Sequence, residues 1–272
     1  MKFLSAACVV LYSTGALAAP GTAARRQRAA ERIAGRDILR SSNTLQPVES
    51  NEVEVANKNG TAHVEYSSNW AGAVLIGTGY TSVKGTFVVP TPKTPSGGSS
   101  SKEYSASAWV GIDGDTCATA ILQTGIDFTV KGSSVSYDAW YEWYPDYVSA
   151  YDFSGIPISA GDTITVTVTA SSKSAGTAVI ENVSTGKTVS HSFSGESDSL
   201  CETNAEWIVE DYSSGGSLVS FADFGSVEFT GATVNGAAAD VSGATIIDIQ
   251  QNGAILTDCS TGSSTVTCEY SN

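Results

Sequence analysis

Histidine and arginine are scarce in this chain of 272 residues, and each scarcity excludes a class of chemistry. The two histidines, His63 and His191, are too few for a histidine-rich metal site. No arginine follows Arg40, and residues 61–272 carry six lysines against 23 acidic residues. A body this acidic repels nucleic acid and anionic membranes, so we expect neither as a partner. The same excess of acids favours a protein that works at low pH.

The motifs of two common hydrolytic mechanisms are also missing. No G-x-S-x-G turn accompanies either histidine, so we predict surface histidines and no Ser-His-Asp triad. The Asp-Thr-Gly and Asp-Ser-Gly tripeptides of pepsin-like enzymes do not occur. Asp113-Gly-Asp115 lacks the remaining EF-hand ligands, and we predict no metal and no cofactor. Carboxylates and amides remain as candidate catalytic groups.

The first 60 residues divide into two segments. An apolar stretch over residues 3–17 ends in an A-x-A pattern, which predicts a secretory signal peptide at residues 1–18. Residues 19–60 hold all six arginines and no aromatic residue, and the run over residues 23–39 predicts a helix. We interpret residues 19–60 as a basic pro-segment that inhibits the acidic body near neutral pH and leaves on acidification. A flexible linker is the alternative.

The cysteines predict a disulfide-bonded, exported protein. Cys8 leaves with the signal peptide, and the remaining four cysteines allow three pairings. Cys259 and Cys268 are nine residues apart around a Ser/Gly-rich turn, which favours a hairpin closed by a disulfide. That choice leaves Cys117 and Cys201 as a long-range pair.

Two Asn-x-Ser/Thr sequons are predicted glycosylation sites, at Asn59 and Asn182. Asn59 falls at the expected end of the pro-segment. Asn182 is therefore the site expected to remain in the mature protein.

Residues 61–272 form one predicted all-β domain. Short alternating runs such as Thr163–Thr169 are separated by Gly/Ser/Asp turns, a pattern typical of an antiparallel sandwich. Residues 93–103 are a low-complexity interruption and are predicted to be an exposed loop open to proteolysis. Aromatic residues crowd both faces of the strand within residues 137–147, which favours a groove on one face of the sheet.

Two polar residues stand in apolar settings. Gln123 follows Ile121 and Leu122, and Glu206 precedes Trp207 and Ile208. Burial of a carboxylate or an amide is costly unless it is paired. The predicted Cys117–Cys201 bridge would bring both segments together. A carboxylate can then take a proton from water while the amide N–H donates to the developing oxyanion.

Five motifs in order give the chain a strong resemblance to the eqolisin family of secreted glutamic peptidases, over roughly residues 68–233. The motifs are Ser68-Asn-Trp-Ala-Gly-Ala-Val-Leu, Trp109-Val-Gly-Ile-Asp-Gly-Asp, Ala120-Ile-Leu-Gln-Thr-Gly, Tyr137-Asp-Ala-Trp-Tyr-Glu-Trp-Tyr-Pro and Asn204-Ala-Glu-Trp-Ile-Val-Glu-Asp. The resemblance implies a concanavalin-like sandwich of two antiparallel sheets, with a substrate cleft across one of them.

The resemblance also implies site residues and an activity. Gln123 and Glu206 match the family's catalytic pair; from the residues alone, Glu202 and Glu210 are alternatives to Glu206. The positions that match residues around the family's cleft are Trp70, Trp109, Asp113, Asp127, Glu142 and Tyr144. The implied enzyme is a secreted acid endopeptidase that cleaves proteins and peptides with an activated water and no covalent intermediate. The 93–103 loop resembles a segment excised in one family member, so a two-chain mature form is expected, and the default expectation is a monomer.

Two other functions suit an acidic sandwich with an aromatic groove. A glycoside hydrolase would use two facing acids, Glu142 and Glu206, and would not need Gln123. A lectin-like carbohydrate-binding module would need no catalytic acid.

Overall fold

A computed structural model of the chain describes residues 40–41, 44–48, 55–57, 60–62, 64–146 and 150–271. All of them belong to one compact unit, residues 39–272. The predicted signal peptide, the predicted helix over residues 23–39, Asn59 and His63 lie outside the described residues. Within the described part of the chain, no helix is long and apolar enough to span a membrane.

The described residues form 22 strands. The first eight are β1 Arg40–Ser41, β2 Val55–Asn57, β3 Gly60–Ala62, β4 Val64–Ser67, β5 Trp70–Ile76, β6 Ser82–Val88, β7 Glu103–Ile112 and β8 Ile121–Lys131. The next seven are β9 Ser134–Tyr144, β10 Tyr151–Asp152, β11 Thr163–Ser172, β12 Ala175–Asn182, β13 Lys187–Ser194, β14 Asn204–Glu210 and β15 Ser213–Ser214. The last seven are β16 Ser217–Leu218, β17 Ser226–Val234, β18 Ala237–Ala238, β19 Thr245–Gln251, β20 Ala254–Ile255, β21 Thr257–Thr261 and β22 Val266–Tyr270.

Two large sheets pack face to face, as the all-β prediction requires. The first sheet has the order β10-β9-β8-β7-β14-β5-β19-β20, with β4 added parallel to β19. The second sheet has the order β13-β12-β11-β6-β17-β22-β21, with β18 paired to β17. Every other pairing in the two sheets is antiparallel, so the predicted sandwich of two antiparallel sheets is confirmed apart from the single β4–β19 contact.

Burial along the strands distinguishes the two sheets. In β11 of the second sheet, Ile164, Val166 and Val168 are buried while the threonines between them face outward. This alternation is typical of a sheet with one wet face. Strands β7 and β14 of the first sheet are buried at nearly every position. The first sheet is therefore covered on both faces.

Two apolar clusters explain this difference. The larger lies between the sheets and includes Trp143 and Trp207. A smaller cluster lies on the opposite face of the first sheet and includes Trp70, Trp109 and Trp140. Trp140 and Trp143 thus point to opposite faces of β9, as the alternation in residues 137–147 predicts.

Both predicted disulfides are present. Cys259–Cys268 closes the β21–β22 hairpin, and its two residues are direct partners across the strands. Cys117–Cys201 joins the loop after β7 to the segment that precedes β14, across 84 residues of sequence. In the predicted loop at residues 93–103, Lys93 and residues 96–103 are exposed, whereas Thr94 and Pro95 are half-buried.

Candidate active site

Gln123 and Glu206 lie in one row across the first sheet. Glu206 of β14 pairs with Gly111 of β7, Gly111 pairs with Gln123 of β8, and Gln123 pairs with Glu142 of β9. Neighbouring strands are about 4.8 Å apart, so the Cα atoms of Gln123 and Glu206 are about 10 Å apart with a glycine between them. We call these four residues the dyad row.

Gly111 keeps the space between the two side chains open. A Cβ atom at residue 111 would lie 2.7 Å from Glu206 Oε1 and 2.8 Å from the Trp109 ring. Both distances are shorter than van der Waals contact. Any larger side chain at position 111 would therefore displace the Glu206 carboxyl group.

The side chains of Gln123 and Glu206 are buried, yet some of their hydrogen-bonding atoms have no partner among the described residues. Gln123 and Glu206 are both fully buried. Gln123 Nε2 donates to Glu142 Oε2 at 3.2 Å, while Gln123 Oε1 and both Glu206 oxygens have no hydrogen-bond partner among the residues described. Burial raises the pKa of the Glu206 carboxyl well above its usual value, and the charges of Asp113 and Asp115 raise it further. Burial in this structure therefore disfavours the ionised form of Glu206.

A second row, two residues further along each strand, is apolar. This tryptophan row consists of Ile208, Trp109, Gly125 and Trp140. The Trp109 ring lies 5.0 Å from the Trp70 ring in an edge-to-face arrangement. A Cβ atom at residue 125 would lie 2.4 Å from Trp109 Cβ, so only glycine lets the Trp109 side chain sit there. The rings form an apolar wall beside the dyad row.

A third row is polar and negative. This acidic row consists of Glu210, Ser107, Asp127 and Asp138. Trp109 Nε1 donates to Glu210 Oε2 at 3.0 Å, and Trp140 Nε1 donates to Ser107 Oγ at 3.2 Å. Hydrogen bonds from Trp109 and Trp140 therefore join the tryptophan row to the acidic row.

Arg40 lies over the tryptophan row and contacts both the acidic row and the dyad row. Its Nε donates to Asp127 Oδ2 at 2.7 Å and its Nη2 donates to Ser107 Oγ at 3.1 Å. Its Nη1 lies 3.7 Å from Glu142 Oε2. The guanidinium carbon is 3.6 Å from the centre of the Trp140 ring. Burial raises the pKa of Asp127, and the positive charge of Arg40 opposes that rise.

Comparison with known proteins identifies the family. The model of the peptidase A4 family matches residues 68–270. The chain belongs to the peptidase A4 family. This confirms the resemblance to the glutamic peptidases that the five sequence motifs carry, and the protein is a peptide hydrolase of that class.

Two relatives of the peptidase A4 family match over the whole chain. Aspergillopepsin-2 of Aspergillus niger is 54% identical, over 99% of this chain and 100% of its own length. Scytalidopepsin B of Scytalidium lignicola is 44% identical, over 99% of this chain and 100% of its own length.

Two solved structures of the family have the same fold. A scytalido-glutamic peptidase with a transition-state analogue inhibitor matches with a TM-score of 0.68 and 48% identity, over 75% of this chain and 98% of that one. The aspergilloglutamic peptidase from Aspergillus niger matches with a TM-score of 0.59 and 61% identity, over 62% of this chain and 99% of that one.

Most of the positions carried over from the peptidase A4 family meet on one face of the first sheet. Trp70 and Trp109 belong to the smaller apolar cluster, and Tyr144 packs against it. Glu142 lies in the dyad row and Asp127 in the acidic row. The rival Glu210 lies on the same strand as Glu206, four residues further on, in the acidic row. Glu202 precedes the strand altogether.

Asp113, one of the predicted cleft residues, binds the backbone that leads into β14. The side chain is fully buried. Its Oδ2 accepts from the N–H groups of Cys201 and Glu202, and its Oδ1 accepts from the N–H groups of Thr203 and Asn204, all within 2.7–3.1 Å. Because both oxygens are occupied by the backbone that leads into β14, Asp113 positions the strand that carries Glu206.

Asn182 is a poor glycan acceptor in this fold. The residue is fully buried, and its Nδ2 donates to Pro157 O and to Asp162 Oδ2, each at 2.9 Å. A glycan on Nδ2 would compete with both hydrogen bonds. The glycosylation prediction stays a prediction, and this geometry is unfavourable to it.

Sequence reasoning missed Arg40, Gly111 and Ser107 as parts of the site. Gly111 and Ser107 lie at the alternate positions of β7 that flank Trp109, so strand alternation from that predicted cleft residue could have found them. Arg40 is the last arginine before the acidic residues 61–272, and this position could have marked it as a candidate partner for their carboxylates. Its contact with Asp127 spans 87 residues of sequence, and no local pattern predicts the partner.

Proposed function

We propose that the protein is a secreted acid endopeptidase, made as a zymogen, that uses Gln123, Glu206 and one activated water. The observation that carries this proposal is the dyad row, in which a fully buried amide and a fully buried carboxyl flank the gap at Gly111. Their side-chain oxygens have no partner among the described residues, so they are available to accept hydrogen bonds from a water in the gap.

The proposed reaction has two proton transfers. Ionised Glu206 takes a proton from a water in the gap, and the water oxygen attacks the peptide carbonyl carbon. Gln123 Nε2 donates to the carbonyl oxygen as it becomes negative. Protonated Glu206 then gives its proton to the peptide nitrogen, and the C–N bond breaks. The hydrogen bond from Gln123 to Glu142 fixes the orientation of the amide.

The closed form is inactive for two physical reasons. Arg40 and Leu45 cover the cleft: Arg40 binds the acidic row and Leu45 packs against the smaller apolar cluster. Burial also raises the pKa of Glu206, which disfavours the ionised form that acts as the base. Removal of the pro-segment would admit water, lower the desolvation penalty and return the pKa of Glu206 towards the acid range. These contacts support residues 19–60 as an intramolecular inhibitor.

Export completes the proposal. Residues 1–18 are removed as a signal peptide, which leaves an extracellular monomer whose partners are protein and peptide substrates. The exposed loop at residues 93–103 is the site at which a two-chain form would arise. Sequencing the exported protein tests the first step, with Ala19 expected as its first residue before acid treatment.

The glycoside-hydrolase alternative is weaker on geometry. Glu142 and Glu206 do share the dyad row, but Gln123 and Gly111 lie between them and Glu142 accepts a hydrogen bond from Gln123. Facing carboxyls with an open space between them are needed for glycoside hydrolysis. Membership of the peptidase A4 family also favours the peptidase.

One assay separates the three functions. The acid-treated protein is incubated in parallel with denatured protein and with plant polysaccharide. We expect new peptide N-termini and no released sugar, and we expect Gln123→Ala to lower the rate of peptide cleavage about 100-fold or more. Polysaccharide cleavage that survives Gln123→Ala would favour the glycoside hydrolase. Polysaccharide binding without any cleavage would favour the lectin.

The zymogen is tested at Arg40. The full-length protein should be inactive near neutral pH and should process itself on acidification. We expect Arg40→Gln to process at a higher pH than the wild type, since the variant lacks the cation that holds the acidic row. Arg40→Lys keeps the charge and should lie between the two. Identical processing of all three proteins would contradict the inhibitory role of Arg40.

A further inference from the structure

We propose that, in the mature enzyme, the edge of β4 that faces away from β19 binds an extended stretch of the substrate polypeptide by strand addition. This β4 edge consists of Tyr66, Ser68 and Asn69. The inference rests on the proposed peptidase and on the removal of its pro-segment. It adds a binding surface away from the reacting groups and assigns long, unfolded polypeptides as the preferred substrates.

In the structure, residues 46–48 of the pro-segment already form the added strand. Val48 N–H donates to the Tyr66 carbonyl oxygen, and Ser68 N–H donates to the Gln46 carbonyl oxygen, each at 2.9 Å. An antiparallel bridge lies between these two bonds. Extended peptides that add to an open sheet edge use the same main-chain pairing.

The Asn69 side chain lengthens this pairing towards the cleft. Its Oδ1 accepts from Gln46 N–H at 3.0 Å, and its Nδ2 donates to the Thr44 carbonyl oxygen at 3.3 Å. Like the two bonds to β4, these two bonds use only main-chain atoms of the pro-segment. Because every peptide carries such atoms, the β4 edge fits an extended chain without requiring a particular side chain.

The β4 edge is held in place by the body of the protein. On its other side, β4 pairs with β19 along four residues. Ser67 Oγ donates to Asn69 Oδ1 at 2.8 Å, and Asp211 N–H donates to the Asn69 carbonyl oxygen at 2.9 Å. These bonds do not involve the pro-segment. We therefore expect the edge to keep its shape when the pro-segment leaves.

Removal of residues 19–60 takes away the strand that covers the β4 edge. The Tyr66 carbonyl, the Ser68 N–H and the Asn69 Nδ2 group then lose the partners that residues 44–48 supply. A strand edge with open N–H and C=O groups is a template for another extended chain. The mature protein thus gains a strand-binding edge that is occupied before maturation.

The path of the pro-segment joins this edge to the catalytic cleft. Arg40 Nη1 lies 3.7 Å from Glu142 Oε2 of the dyad row, and Leu45 packs against the smaller apolar cluster. Gln46, the first residue paired with β4, follows Leu45 directly. Six residues of extended chain span about 20 Å. A substrate of nine residues, the length of residues 40–48, would therefore occupy the cleft and the edge together.

The test is an N-methyl scan along one long peptide cleaved by the acid-matured enzyme. N-methylation removes one backbone N–H and leaves the side chain unchanged. Beyond the cleft, we expect KM to rise about fivefold, with kcat nearly constant, at two positions spaced like Gln46 and Val48. The position between them should tolerate the methyl group, because Pro47 stands there in the pro-segment. A peptide that ends before these positions should also have the higher KM.

An enzyme variant provides a second measurement. Asn69→Ala removes the side chain that binds both Thr44 and Gln46, so it should reduce the KM advantage of the long peptide over the short one. Ser260→Ala is the control, since Ser260 is exposed on β21 of the second sheet, and it should leave that advantage unchanged. Thermal melting checks that both variants are folded.

The outcomes are distinct. If the enzyme cleaves every peptide and neither N-methylation beyond the cleft nor peptide length changes KM, the β4 edge is overturned and the peptidase stands. A mature chain that begins before Thr44 would keep the edge occupied and would overturn it too. No cleavage of any peptide would overturn the peptidase and the edge together. The wild-type scan needs no variant, so it decides the matter even if Asn69→Ala does not fold.

Discussion

At the scale of single residues, the gap between Gln123 and Glu206 exists because residue 111 has no side chain. The strands place the amide and the carboxyl two strand spacings apart, and a Cβ atom at position 111 would lie 2.7 Å from Glu206 Oε1. A glycine inside a strand normally weakens the strand. Here it makes room for the water on which the proposed reaction depends.

Gly111→Ala tests this role. We expect kcat to fall about 100-fold, because the added methyl group displaces the Glu206 carboxyl by a distance comparable to 1 Å. The matched control is Gly243→Ala, since a Cβ atom at residue 243 meets nothing within 4 Å. Steady-state kinetics on one peptide and thermal melting of both variants provide the comparison. Unchanged kcat in folded Gly111→Ala would remove the glycine from the mechanism.

Asp113 also acts at the residue scale, through the backbone that leads into β14. Asparagine at this position keeps one acceptor oxygen and loses the charge. We expect Asp113→Asn to lose about 1–3 kcal/mol of unfolding free energy in urea. The charge of Asp113 raises the pKa of Glu206, so its removal should move the acid limb of kcat/KM to lower pH. A loss of stability with no movement of that limb would limit Asp113 to a structural role.

At the scale of elements, antiparallel register aligns four neighbouring strands, β9, β8, β7 and β14, so that their side chains form three rows. Alternation within β8 and β9 predicts which residues share a face, and that part of the site could be predicted from sequence. Register between strands could not, because the segments that join β8, β7 and β14 differ in length and composition. The family resemblance supplied the pairing of Gln123 with Glu206, which alternation alone left open to Glu202 and Glu210.

The two disulfides close loops of very different length and lie at different distances along the chain from β14. Cys117–Cys201 closes 84 residues of chain and lies beside the start of β14, while Cys259–Cys268 closes nine residues at a hairpin. Chain-entropy estimates give about 4.6 kcal/mol for the long loop and about 2.6 kcal/mol for the short one. We expect the double serine variant of the long bridge to lose more stability in urea and also to lose activity. The short-bridge variant should keep its activity; the opposite order would contradict this assignment.

At the scale of the whole molecule, buried acids favour folding at low pH. Burial raises the pKa of Asp248 to about 7 and that of Asp211 to about 8. Unfolded aspartate titrates near 3.9. The folded state therefore binds more protons in this range, and the stability these groups contribute is complete below about pH 4 and is lost as the pH rises through their folded values.

Thermal melting across this range tests the linkage. We expect the melting temperature to fall between about pH 4 and about pH 8, with a smaller fall in Asp248→Asn, which cannot ionise at that site. Thr257 Oγ1 and the Cys259 N–H donate to Asp248 Oδ1, and asparagine can accept both. A melting temperature that rises over this range would contradict the account.

The sequence predicted the fold of the whole molecule better than it predicted the contact made by Arg40. The acidic body, the sandwich and both disulfides follow from composition, alternation and cysteine spacing. The insertion of Arg40 between Asp127 and Glu142 is a contact between distant parts of the chain. Composition predicts only that a basic segment attracts an acidic body, and it does not predict which residues meet.

The most direct test of the central claim is the kcat/KM of acid-matured Glu206→Gln on a peptide substrate. Maturation of the variant is completed with added wild-type enzyme, which is then removed. The account predicts a loss of at least about 1,000-fold in a protein that melts like the wild type, since the variant has no base to activate water. Glu202→Gln, the neighbouring acid outside the cleft, should keep wild-type kcat/KM. Turnover of Glu206→Gln within about tenfold of the wild type would contradict the proposed chemistry.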